Sequence, residues 1–209
     1  MYTPSHFRSD DPALADEVMR RYAFATLVGN DADGQPFATH LPVAAERAGD
    51  GWVIDFHVAK ANPHWRWLEQ SPRALLVFQG PHGYVSPSWY EQKLAVPTWN
   101  YVAVHACGDV VTLHDPVEKD ALLKRLIARN EPGYAEQWRG LPEDFQQKML
   151  GAIVGLRMTT AKVEAKFKLS QNRPAADRAR VLAEHRAGNA TEREMAEWMA
   201  RLTGADATR

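Results

Sequence analysis

The stretch VPTWNYVAVHACG, residues 96–108, has the composition of a β-strand from Thr98 onward, yet Trp99, Asn100, Tyr101 and His105 are set into it. A strand that only fills a core needs neither a carboxamide nor an imidazole. Flat rings beside an amide and an imidazole suit a planar ligand with a polar rim. A second constellation lies in FHVAKANPHW, residues 56–65. Asn62 followed by Pro63 marks a helix start, and Lys60 stands just upstream. The free amides of a first helical turn and one ammonium group can converge on an anion such as a phosphate monoester. A surface lysine beside an ordinary helix cap is the other reading of the same residues.

In THLPV, residues 39–43, His40 precedes Pro42, which cannot donate to a ladder and therefore implies an edge position or a bulge. Backbone groups unpaired there can bond the edge of a ring; a buried histidine bonded to a neighbour is the alternative. In KFKLSQNR, residues 166–173, alternation puts Glu164, Lys166, Lys168 and Ser170 on one face, and Gln171, Asn172 and Arg173 leave the strand just before Pro174. Lys166 or Arg173 would meet a phosphate or carbonyl, with Gln171 and Asn172 on a heterocycle edge. A solvated strand end accounts for the same residues.

Other chemistries lack their signatures. The chain has 8 histidines but no HExxH and no tight pair on one helix, so no metal site is expected. Ser86 and Ser88 flank Pro87 without an evident base, and no G-x-S-x-G elbow exists. Neither G-x-G-x-x-G nor a P-loop appears. Cys107 is the single cysteine, which excludes an internal disulfide and argues against a cysteine-based zinc site.

The elements that must position these residues read as follows. A helix begins at Pro12 with Asp11 as its cap. Strand-like runs 22–28 and 36–44 are joined through Asp33-Gly34, a hairpin signal. In residues 52–58, Trp52, Ile54, Phe56 and Val58 point one way, and Val53, Asp55 and His57 the other. A short helix over 62–70, a strand over 73–78 and a Gly-, Pro- and aromatic-rich loop over 79–97 lead into the opening stretch. Helices follow over 115–131, capped by Asp115, and 141–150; a long strand covers 152–170, and one or two helices cover 174–203. Strands in hairpins interrupted by short helices predict a mainly β fold with helices (α+β), an antiparallel barrel with helical decoration.

Length and charge fit this picture. The 209 residues suffice for one sizeable core, apolar content is 45%, and formal net charge is -1. No global positive field recruits nucleic acid or an anionic membrane. No signal peptide or bilayer-spanning run appears, so a soluble cytoplasmic protein is expected.

GPHGYVSPSWY, VPTWNYVAVHACG and KLSQNR, with MYTPSHF at the start and HVAKANPHW between, resemble the PaiB-type family of FMN-binding negative transcriptional regulators. The resemblance covers residues 1 to about 185 in family order. It implies a split β-barrel of the FMN-binding, pyridoxamine-phosphate-oxidase-like type, a homodimer holding FMN in clefts between subunits. Residues 1–185 would form the FMN-binding domain with peripheral helices, and 186–209 a C-terminal helical extension of it. Lys60 would contact the FMN phosphate with His57 and Asn62 beside it, and His40 and Leu41 would reach the ring or ribityl chain. Trp99, Asn100, Tyr101 and His105 would line or support the flavin cleft. Lys166, Gln171, Asn172 and Arg173 would reach the cofactor across the dimer interface.

Flavin would then serve a regulator as ligand or redox sensor; catalytic residues are not assigned. An FMN-dependent oxidoreductase, a haem-binding split barrel and an interaction module using the aromatic loop are the alternatives. DNA remains a conceivable partner, although neither net charge nor a helix-turn-helix supports it. The arginine-rich segment 173–189 is either a solvated helix face or a DNA contact.

Overall fold

A computed structural model describes residues 1–92 and 94–203. The strands are β1 (Arg8–Ser9), β2 (Phe24–Asn30), β3 (Pro36–Ala48), β4 (Gly51–Ala59), β5 (Arg73–Val85), β6 (Thr98–Leu113) and β7 (Ile153–Lys168). The helices are α1 (Pro12–Arg21), α2 (His64–Gln70), α3 (Pro116–Asn130), α4 (Tyr134–Gly140), α5 (Glu143–Gly151), α6 (Ala175–Ala187) and α7 (Ala190–Thr203). The sheet order is β1-β7-β4-β3-β2-β5-β6, and a further β7–β6 pairing joins the ends of the six-strand run. This is the α+β, barrel-forming arrangement that the hairpin pattern predicts, with helices and strands taking nearly equal shares of the chain.

The chain separates into two compact units. A terminal unit holds Met1–Val18, Gln79–Val104 and the chain from Glu164 through α7; a central unit holds Met19–Phe78 and His105–Val163. Strands β5, β6 and β7 contribute to both.

In the central unit, β2 and β3 form a hairpin in register from Phe24↔Pro42 to Asn30↔Pro36. Its turn is organised by Asp31, whose carboxylate accepts from the amides of Asp33 and Gln35, while Gly34 supplies a φ of 77° that other residues rarely adopt. At Val43 strand β3 changes partner: Val43 to Ala48 pair with Phe56 to Gly51 of β4. Pro42 stands at this switch, so its missing N–H interrupts no ladder.

Alternation in β4 is as expected. Trp52, Ile54, Phe56 and Val58 are all buried, with Leu27, Val43, Leu76, Leu156 and Met158 also in the core. The opposite face meets α3 through Ala44, Leu113, Leu122 and Leu126. Asp55 on that face is also buried, and it is matched by two arginines: Arg125 of α3 donates to Oδ2 at 2.8 and 2.5 Å, and Arg157 of β7 to Oδ1 at 2.7 Å. Asp115 caps α3 by accepting from the amide of Val117, with Pro116 in the first turn.

Two elements differ from the sequence reading. Strand β5 continues through GPHGY to Val85, which shortens the expected loop. Gly83 makes this possible in the terminal unit, since a Cβ there would sit 2.5 Å from the His185 ring of α6. A further helix, α4, which no sequence pattern announces, has its Trp138 buried with the indole N–H donating to Asp120 at 3.0 Å.

Candidate functional site

Lys60 follows the last residue of β4, and its backbone is fixed from both sides. Its amide donates to Ala152 O at 2.8 Å, and Trp65 Nε1 donates to its carbonyl at 3.1 Å. The side chain is exposed, and among the described residues no carboxylate pairs with its ammonium. Asn62 does cap the start of α2, its Oδ1 accepting from the His64 amide at 3.0 Å, one residue upstream of the formal cap Pro63. Its Nδ2 donates to Thr39 Oγ1 at 3.2 Å, and His64 Nδ1 meets the same hydroxyl at 3.0 Å. Thr39 of β3 thereby ties the strand to the helix, a role no sequence motif announces. His64 is fully buried against Phe37, and its Nε2 has no partner. Gly29 leaves it room, as a Cβ there would lie 2.7 Å from that nitrogen.

The other central residues spread around this corner. His40 is exposed on the outward face of β3, with Nδ1 3.0 Å from Thr26 Oγ1 and its ring stacked 6.5 Å from Phe24. Leu41 points into the core, so only its backbone is available to a ligand. His57 lines a cavity of about 280 Å³ under α3 and α4 with Leu126, Ile127, Asn130 and Tyr134. Its Nδ1 is enclosed without a partner, and burial lowers its pKa. His105 is half-buried on β6.

In the terminal unit, Trp99 is 52% exposed, its ring 5.7 Å from Tyr84 and 6.1 Å from His82. Tyr101, two residues along the same face of β6, lies 5.1 Å beneath the Lys166 ammonium. Asn100 faces the other way and is buried. Its Nδ2 donates to Ser170 Oγ at 3.0 Å, and Ser170 Oγ lies 3.1 Å from Asn100 Oδ1. Ser170 is the non-glycine residue held at positive φ, 63°, among the described residues. The amide in the opening stretch therefore fixes the backbone of the KLSQNR turn. Gln171 is turned onto the same backbone, accepting from Leu169 N at 2.7 Å and donating to Phe167 O at 2.5 Å. Asn172 is exposed, and the Arg173 guanidinium lies 4.3 Å over the Tyr90 ring.

FMN presents a phosphate dianion, a planar ring and a polar ring edge. Among the described residues, the central unit offers a cation without a carboxylate partner at Lys60, and the terminal unit, taken by itself, an outward aromatic face at Trp99 and cations without carboxylate partners at Lys166 and Arg173. These residues fit the group. Among the described residues no cluster of three or more metal-ligating side chains exists.

The fold and these features define a split-barrel protein of the flavin-binding class, and comparison with known proteins agrees. Residues 1–162 match the family described as "Putative FMN-binding domain", and the chain belongs to that family, whose cofactor is FMN. A relative from Bacillus subtilis (strain 168), the protease synthase and sporulation protein PAI 2, is 35% identical over 205 residues, covering 95% of this chain and 96% of that one. Among solved structures, the flavocytochrome Anf3 from Azotobacter vinelandii is 19% identical with a TM-score of 0.61, over 77% of this chain and 69% of that one. The FAD and heme binding protein from Mycobacterium smegmatis is 19% identical with a TM-score of 0.60, over 77% of this chain and 73% of that one. At that identity these two structures speak for the fold alone. No helix among the described residues is long and apolar enough to cross a membrane.

Proposed function

We propose that the protein is a cytoplasmic homodimer that binds FMN in clefts between subunits and acts as a negative regulator of the PaiB type, with flavin as ligand or redox sensor. The observation that carries the reading is the Lys60 corner: a cation without a carboxylate, on backbone fixed by Ala152 and Trp65. Lys60 holds the phosphate as a point charge, and His40 and the backbone of Leu41 meet the ring edge or ribityl chain. Asn62 shapes the corner, and His57 and His105 stand behind it. Trp99 and Tyr101 offer flat surfaces to the ring; Asn100 and Gln171 support the turn that carries Asn172 and Arg173, and Lys166 adds positive charge. FMN, when bound, supplies one- and two-electron redox chemistry. Residues 1–185 form the binding domain and 186–209 extend it, the last six lying outside the described residues.

Dimerisation is supported by the outward strip of the central sheet. Thr26 and Val28 of β2 lie between His40 and Ala38 of β3 and Val77 and Leu75 of β5, and Phe24, opposite Pro42 at the end of this mostly apolar strip, is 70% exposed. The regulatory role rests on the 35% identity to PAI 2, whose name concerns protease synthesis and sporulation.

Reconstitution with excess FMN tests the reading. Wild type is expected to retain a flavin absorbance spectrum after gel filtration. Lys60→Glu is expected to lose it, with circular dichroism unchanged. Retention by the variant would seat the phosphate elsewhere, and no uptake by wild type would end the assignment. NAD(P)H oxidation at enzyme-like rates would favour the oxidoreductase, whereas a salt-resistant, specific shift of promoter DNA would favour the regulator.

A further inference from the structure

Lys166 and Lys168 share one face at the end of β7 in the terminal unit, and Arg173 stands on the turn that follows. Lys166 is only 7% exposed, although burying an ammonium is unfavourable unless an opposite charge compensates it. Its Nζ donates to the Tyr2 carbonyl at 3.0 Å and lies over the Tyr101 ring, and both partners are neutral. Lys168 donates to Thr98 Oγ1, again a neutral acceptor. Arg173 spreads over the Tyr90 ring. Among the described residues no carboxylate pairs with any of the three.

Nearby charges make the imbalance worse. Arg8 stands directly opposite Lys166 in the β1–β7 ladder, a like-charge pair, and turns to Asp10 at 3.0 Å. Glu164, the acid on the same face of β7, is held by the Met1 amino group at 2.7 Å. Burial lowers the Lys168 pKa, and the charges of Lys166 and Arg173 lower it further. A fold does not gather half-buried like charges around neutral acceptors to its own advantage. A bound dianion removes the cost.

We propose that Lys166, Lys168 and Arg173 form a binding site for a phosphate monoester. A phosphate monoester near neutral pH carries about 1.5 to 2 negative charges, which matches three cations better than a single carboxylate does. Lys166 and Lys168 supply rotatable point charges and Arg173 a planar fork. The turn that carries Arg173 is set by Ser170 and Asn100. The phosphate can belong to a second phosphorylated ligand or to FMN itself. The site deepens the flavin reading but stands without it.

Titration of inorganic phosphate into the full chain, followed by calorimetry, tests the site in both FMN-free and FMN-saturated protein. Saturable binding is expected, weakened at least about tenfold by Lys168→Gln and by Arg173→Gln and unchanged by Lys148→Gln, an equal charge change on the exposed face of α5. Binding that persists on FMN-saturated protein identifies a second ligand's phosphate. Binding that FMN displaces identifies FMN's own. Either result supports the site. Absence of saturable binding, or binding unchanged in both variants, overturns it. Circular dichroism checks that the variants fold, and Arg173→Gln decides if Lys168→Gln does not. Should wild type take up no FMN, the flavin reading fails while titration of the FMN-free chain still decides this one.

Discussion

A histidine enclosed without hydrogen-bond partners resists protonation, because a charge in that place has lost its water. His185 of α6 is fully buried, both ring nitrogens lack partners, and Trp89 packs edge-on at 5.8 Å. Burial lowers its pKa, partly offset by Glu192, and burial likewise lowers those of His57 and His64. The folded-state values lie below the unfolded 6.5, so the unfolded chain binds more protons in the window beneath it. Stability is therefore complete above about pH 6.5 and declines as pH falls from there towards the folded values. His185→Phe is expected to shrink the fall in Tm between pH 7.5 and 5.5 relative to wild type; an equal fall would show that the imidazole titrates as if exposed. Asn100 poses a different residue-scale problem. Its removal leaves the buried Ser170 hydroxyl without its partner at a left-handed backbone position. Asn100→Ala should cost about 2 kcal/mol in urea unfolding; a loss within error would mean that water replaces the amide.

At the scale of elements, Asp55 joins three: its own β4, α3 through Arg125, and β7 through Arg157. The Asp55 side chain is 6% exposed and both arginines are 33% exposed, so water screens only the cationic side. Hydrogen bonding to Asp55 raises the Arg157 pKa. Deleting the shared carboxylate strands two charges. Asp55→Ala should destabilise by about 3 kcal/mol, towards the lower end for a broken buried pair because the arginines can reach solvent. Arg125→Ala, which leaves Asp55 one partner, should cost less. Equal losses in a chemical denaturation series would sink the shared-acceptor account.

For the whole molecule, the outward strip at Phe24 is the surface to probe. If it is the subunit contact, Phe24→Glu converts a dimer to a monomer by light scattering and lowers FMN retention, with secondary structure unchanged. A wild-type monomer at micromolar concentration would remove the shared-cleft arrangement altogether.

Much of this was written in local pattern. The period-2 alternation of residues 52–58 fixed which face of β4 is buried, Asp33-Gly34 marked the hairpin, and Asp115-Pro116 marked the start of α3, because each depends on residues within a few positions. The motif strings likewise sufficed for the family. Tertiary structure alone decided what depends on distant partners: that Asn100 clasps Ser170 seventy positions away, that Gly83 admits His185 and so lets β5 run on, and that Lys168 turns to Thr98, a neutral acceptor seventy positions away. Alternation assigns a side chain to a face, but the charge or ring opposite it comes from another part of the chain. Only folding brings that partner within the few ångströms over which hydrogen bonds and packing act.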